Sequence, residues 1–192
     1  MLYEVFLDSG ETPNKCTIAP LAYRKDLRIL PVRGSGQLGP LQATILLHHD
    51  GRCLSELRHE LQAVQGIAAI DCVWPRLPGL ITRLATPVPI PARLPGGFLT
   101  AYPRQTRSRT DPPAGLATIE AIFLAAALVG HWDVTLLERY PFSRRFVEIN
   151  ANRLQDLGVA EAGDSSRYPE FVKGPRNSLQ RRRDRGRQVF LD

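Results

Sequence analysis

The sequence predicts an α/β fold with a parallel sheet, followed by a helical C-terminal part. Three observations carry this. Short apolar runs stop abruptly at polar residues, as in Ile67-Ala68-Ala69-Ile70-Asp71, and strands buried on both faces read as continuous apolar segments. A stretch opened by Ser55, with Leu57, Leu61 and Val64 at helical spacing, separates two of these runs. Strand–helix–strand alternation of this kind gives parallel pairing. Beyond Gly115 the apolar spacing becomes helical almost throughout.

Taken in order, residues 2–7 read as a first strand and residues 12–15 as a loop. Residues 27–32 read as a second strand, ended by Gly34-Ser35-Gly36, and residues 43–47 as a third. His48-His49-Asp50-Gly51 reads as a turn at the end of that third strand. The helix opened by Ser55 is closed by Gly66, and the next strand ends at Asp71. Residues 79–84 read as a short fifth strand. Pro87, Pro89, Pro91 and Pro95 then make a stiff, extended passage unsuited to a helix or a central strand. Helices follow over 116–129, 133–140 and 143–157, with Gly130 and Gly158 as stops. The expected organisation is an α/β domain over 1–86, a mainly helical domain over 87–158, and a basic, flexible tail over 159–192. No internal repeat is visible.

Composition narrows the class. With 192 residues, 43% of them hydrophobic, the chain can bury one sizeable core or two small ones. Cys16, Cys53 and Cys72 are an odd number at wide spacings, so neither a disulfide framework nor a zinc site is expected, and a reducing cytoplasm is. Residues 1–5 carry an early acid and no basic run, unlike a signal peptide. The apolar stretch over 119–129 contains Glu120 and is too short to span a bilayer. The net charge of +6 and pI near 9.6 favour an acidic partner. Arg176, Arg181, Arg182, Arg183, Arg185 and Arg187 stand against Asp184 alone, a block suited to phosphate contact.

The segment Asp71-Cys72-Val73-Trp74 concentrates the chemistry. In open α/β sheets the ligand crevice lies beyond the carboxyl ends of the strands. A carboxylate and an indole at that point suit a cation, one through charge and the other through its π face. A core tryptophan after a helix-capping aspartate would leave the same pattern.

Several motifs occur together in order: Asn14-Lys15-Cys16-Thr17, Asp71-Cys72-Val73-Trp74, Arg93-Leu94-Pro95 and Gly115-Leu116-Ala117-Thr118-Ile119-Glu120-Ala121. Phe146-Val147-Glu148-Ile149-Asn150 and Leu154 complete the set. Over residues 2–157 the chain resembles the small-subunit ribosomal RNA aminocarboxypropyltransferases of eukaryotes and archaea, relatives of the DTW-domain tRNA enzymes. The resemblance implies an α/β domain with a SPOUT-like, knotted cofactor site. It implies binding of S-adenosylmethionine and transfer of the 3-amino-3-carboxypropyl arm to uridine-type bases of RNA, with ribosomal RNA ahead of tRNA. By matching position, Thr17 would touch the ribose, and Leu47 and Ile70 the adenine. Asp71 and Trp74 would hold the methionine part and the sulfonium, and Leu94, Leu116, Ala117 and Thr118 would complete the pocket. Two segments depart from the family: His48-His49 replaces a Ser-Pro, and residues 102–107 replace an Asn-Pro-Val-Asn-Tyr-Gly.

A sulfonium activates three carbons, so the product depends on which one faces the nucleophile, and orientation outweighs any single contact. Trp74 packed on the methyl would leave the propyl carbon exposed. Asp71 would accept the uracil N3 proton only if burial raised its pKa, whereas a neighbouring sulfonium lowers it, so binding is its expected role. Arg93, Arg104, Arg107 and Arg109, with Tyr102 nearby, suit phosphates beside an unstacked base. Glu120, in an apolar helix, calls for a partner, expected to be an arginine. His48 and His49 are expected on opposite faces of a strand, so no metal site is expected. Two other functions fit the same residues: a SPOUT-type methyltransferase, and a non-catalytic RNA-binding protein of ribosome assembly. A cytoplasmic monomer is expected.

Overall fold

The computed structural model describes residues 1–8, 16–61, 63–103 and 115–173. Five strands, β1 (Leu2–Asp8), β2 (Leu27–Val32), β3 (Ile45–Cys53), β4 (Gly66–Asp71) and β5 (Ile90–Arg93), form one sheet in the order β2-β1-β4-β3-β5. Every pairing is parallel. The apolar runs explain this arrangement. In β1, Tyr3 and Val5 face one core while Phe6 faces another, and in β4 Ile67 and Ala69 oppose Ala68 in the same way. Strands so buried on both faces belong at the centre of a covered sheet.

The first core also takes in α1 (Leu54–Glu60), α3 (Thr118–Leu128) and α4 (Ser143–Asp156). Nine of the eleven residues of α3, all but Thr118 and Ala121, are buried. A helix apolar on all sides has to sit inside the molecule. Phe123 and Phe146, both fully buried, meet edge to face at 6.3 Å between ring centres. Burying a side chain of that size contributes about 1.5–3 kcal/mol. The second, smaller core lies on the other face, under α2 (Leu77–Ile81), through Leu80 and Leu84. No described helix is long and apolar enough to cross a membrane.

Several sequence expectations are corrected here. Residues 79–84 are not a strand: α2 begins at Leu77, with Pro78 in its first turn, where a missing N–H costs nothing. The fifth strand lies instead in the proline-rich passage. Pro91 is tolerated because β5 is an edge, paired only with β3. The helix expected over 133–140 is a short 3-10 turn, Val134–Leu137, with Asp133 accepting from the Thr135 N–H, and Pro141 soon follows. The helix after Ser55 ends at Glu60, well short of Gly66. The stops at Gly130 and Gly158 are as read: both have positive φ, and the residue after each donates back to close a Schellman turn, His131 to Ala126 and Val159 to Leu154.

Residues following α4 stay with the core. Val159 and Ala162 are buried, the Tyr168 hydroxyl donates to the Ala162 carbonyl at 2.6 Å, and the Val172 N–H donates to the Glu138 carbonyl at 2.7 Å. The arginine block from Arg176 to Arg187 lies outside the described residues.

Candidate active site

Asp71 ends β4 at the carboxyl edge of the sheet and is 9% exposed. Its Oδ1 accepts from the Thr118 hydroxyl at 2.7 Å, and its Oδ2 from the Cys16 thiol at 3.3 Å. Burial, and then the Asp71 charge, push the Cys16 thiol up to about 12, so it remains a protonated donor. The neighbouring Thr17 hydroxyl accepts from the Ile119 N–H at 3.4 Å. Residues 16–17, 71 and 118–119, far apart in sequence, therefore meet at one point. Thr118 is also the first residue of α3, whose positive end favours a carboxylate there.

Glu120 holds this junction in shape. Fully buried, its carboxylate accepts four hydrogen bonds: from the Thr100 hydroxyl, the Ala101 N–H, the Ala117 N–H and the Tyr140 hydroxyl, at 2.7–2.9 Å. The arginine expected as its partner is not among them. Neutral donors meet the whole hydrogen-bonding need of a buried carboxylate, so no cation has to be buried with it. The result ties residues 100–101 and the Ala117 backbone to one helix end. Asn150 acts alike on α4: its side chain exchanges two hydrogen bonds of 2.8 Å with the Leu99 backbone.

The remaining expected site residues divide by face. Leu47, Leu94 and Leu116 are half-buried and pack on the rim of the first core, and Ala117 is buried beside them. Ile70 packs instead against the second core. Trp74 is half-buried and opens the turn Trp74–Arg76 after β4. Arg93 is exposed at the end of β5, whereas Arg104, Arg107 and Arg109, like Asn14 and Lys15, lie outside the described residues. Sequence reasoning missed Cys16 as a partner of Asp71 and Tyr140 as a partner of Glu120; only an acid without a near-neighbour cation hinted at either. It also missed Asp8, a buried acid at the end of β1. Asp8 Oδ2 lies 2.7 Å from Arg76 Nη1 in an ion pair, but neither oxygen accepts a well-directed hydrogen bond among the described residues.

At the end of β3 the structure overturns an expectation. Leu47 and Arg52 both stand opposite Ala92, so residues 48–51 are extra and bulge out of the ladder. Gly51 is needed there, because a Cβ would lie 2.5 Å from the Ala92 nitrogen. His48 and His49 therefore do not point to opposite faces. Their rings stack at 4.6 Å, and His49 meets Trp74 edge-on at 6.1 Å. Bulges re-aim side chains in this manner. His48, His49 and Asp50 each offer a ligand atom within 4.8 Å of the others, but His48 Nδ1 already accepts from the Asp50 N–H at 3.1 Å. Burial, and then the His49 ring, lower the pKa of His48.

Together these features define a class: a parallel α/β domain with a carboxylate, an indole and half-buried leucines at the carboxyl edge of its sheet. That donor set fits S-adenosylmethionine, whose sulfonium and ammonium need charge and π contact and whose adenine needs an apolar wall. No family model and no curated protein matches the chain. Among solved structures it is similar to the SAM-dependent rRNA:acp-transferase Tsr3 from Vulcanisaeta distributa, at 25% identity over 86% of each chain, with a TM-score of 0.58. This supports the family read from the motifs, the rRNA aminocarboxypropyltransferases.

Proposed function

We propose that this chain is an S-adenosylmethionine-dependent enzyme that transfers the 3-amino-3-carboxypropyl group to a uridine-type base of ribosomal RNA. The observation that carries the reading is the convergence of three family motifs on the Asp71 carboxylate, through Cys16 and Thr118. The solved structure with which the chain shares 86% of its length is described as such a transferase. When bound, S-adenosylmethionine supplies an electrophilic carbon and a neutral thioether leaving group. Asp71 sets the methionine part by charge, and Trp74 covers the methyl. Thr17, Leu47, Leu94 and residues 116–118 enclose the rest, without Ile70, which packs on the other face of the sheet. The site is SPOUT-like and knotted, with residues 87–158 completing what residues 1–86 begin. Arg93, Arg104, Arg107 and Arg109 hold the RNA backbone. A cytoplasmic monomer taking part in ribosome assembly is the setting in keeping with this reading.

The test uses S-adenosylmethionine labelled separately on the carboxyl carbon and on the methyl, incubated with the protein and RNA from cells lacking it. Carboxyl label in ribosomal RNA is the expected result. Methyl label alone would make the chain a methyltransferase and reverse the role of Trp74. No label, with RNA bound but S-adenosylmethionine unbound, would leave a non-catalytic RNA-binding protein.

A further inference from the structure

A nitrogen nucleophile such as uracil N3 must lose its proton as it attacks, and Asp71 is poorly placed to take it. Both of its oxygens already accept hydrogen bonds, from Thr118 and Cys16. The next strand carries another candidate. In the β3–β4 ladder Leu46 stands opposite Ala68, and the ladder ends there. Three residues further along the two strands are His49 and Asp71, at the same edge of the sheet. The bulge over 48–51 then turns His49 toward Trp74, three residues beyond Asp71.

We propose that His49 is the general base of the transfer, oriented by Asp50. His49 Nε2 lies 3.1 Å from Asp50 Oδ2. The carboxylate draws the ring proton to Nε2 and leaves a lone pair on Nδ1. His48, stacked on the His49 ring, keeps its own proton on Nε2 because its Nδ1 accepts from the Asp50 N–H. A base positioned by an acid, at the rim of a site for an activated carbon, is the arrangement proton abstraction requires. In the step, the N3 proton passes to His49 Nδ1. The N3 lone pair forms the bond to the propyl carbon, and the carbon–sulfur bond breaks with its electrons on sulfur. His49 then returns its proton to water.

This inference rests on the transferase reading, and its test separates the two. Single-turnover transfer of carboxyl label is compared in the native chain, His49→Ala, His49→Gln and Asp50→Asn, with S-adenosylmethionine affinity measured by calorimetry. Both His49 variants should lose about 100-fold or more in rate with unchanged affinity, because a positioned base contributes about 10²–10⁴. Added imidazole should restore part of the rate to His49→Ala but not to His49→Gln, whose side chain fills the space. Nitrogen NMR of the native protein should show His49 protonated on Nε2, a preference Asp50→Asn abolishes. Native-like transfer by His49→Ala, or a loss explained by weaker cofactor binding, overturns the base and leaves the transferase standing. No transfer by the native chain overturns both.

Discussion

Asp71 illustrates how little freedom a charged side chain keeps once it is buried. Its two oxygens accept from Thr118 and Cys16, and under the proposed function its charge is what it offers the cofactor. Asp71→Asn should therefore weaken S-adenosylmethionine binding about 10- to 100-fold, or about 1.4–2.7 kcal/mol, as read by calorimetry. A shift within error would remove Asp71 from the cofactor site. Glu120 makes the opposite case, an acid that serves structure alone. Glu120→Gln turns an amide donor toward groups that themselves donate. The variant should lose about 1–3 kcal/mol for each donor left unpaired, visible in denaturant unfolding. An unchanged midpoint would show that water or a rearranged loop replaces the carboxylate.

At the scale of elements, the bulge in β3 is the feature to test. Were residues 48–51 in regular register with β5, His48 and His49 would alternate across the strand. Gly51 lets the backbones of β3 and β5 approach. Gly51→Ala forces a shift costing about 1–3 kcal/mol. It should also reduce transfer, since moving the bulge moves His49. Full stability in that variant would mean that the strands part without strain. The sequence already marked residues 48–51 as a departure from a plain strand, through Asp50-Gly51. It did not show that β3 resumes at Arg52, because resumption depends on a partner strand 38 or more residues further on.

At the scale of the molecule, distant elements are joined by a polar network on the amino side of the sheet. Arg24 bonds Asp26 and Asp133 at 2.7 Å, and the Tyr3 hydroxyl donates to Asp133. Burial by itself raises the pKa of Asp133, but the Thr135 hydrogen bond and the Arg24 guanidinium outweigh it, holding it below the ordinary 3.8. The sign follows directly. The unfolded chain takes up this proton first as the pH falls, so the stabilisation is complete above 3.8 and is lost through the lower, folded value. Unfolding free energies measured from pH 6 down to 2 should thus drop more steeply for the native chain than for Asp133→Asn. Parallel curves would show that the network does not respond to pH as a pair.

The sequence by itself determined what depends on neighbours along the chain. The apolar runs of β1, β2 and β4 and the glycine stops of α3 and α4 are local in origin, since burial pattern and helix termination act within a few residues. The motif around Asp71 was legible for the same reason: a charge at the end of an apolar run has few places to go. Tertiary structure decided the rest. Pro91 reads as a breaker until the edge position of β5 makes its missing N–H harmless. Glu120 reads as a salt-bridge partner until Tyr140, twenty residues away, and residues 100–101 supply its donors. Cys16 acquires a partner only when the chain brings it to Asp71, 55 residues later. Hydrogen-bond partners of buried groups are chosen by proximity in space, and proximity is settled only when the sheet and its helices have packed.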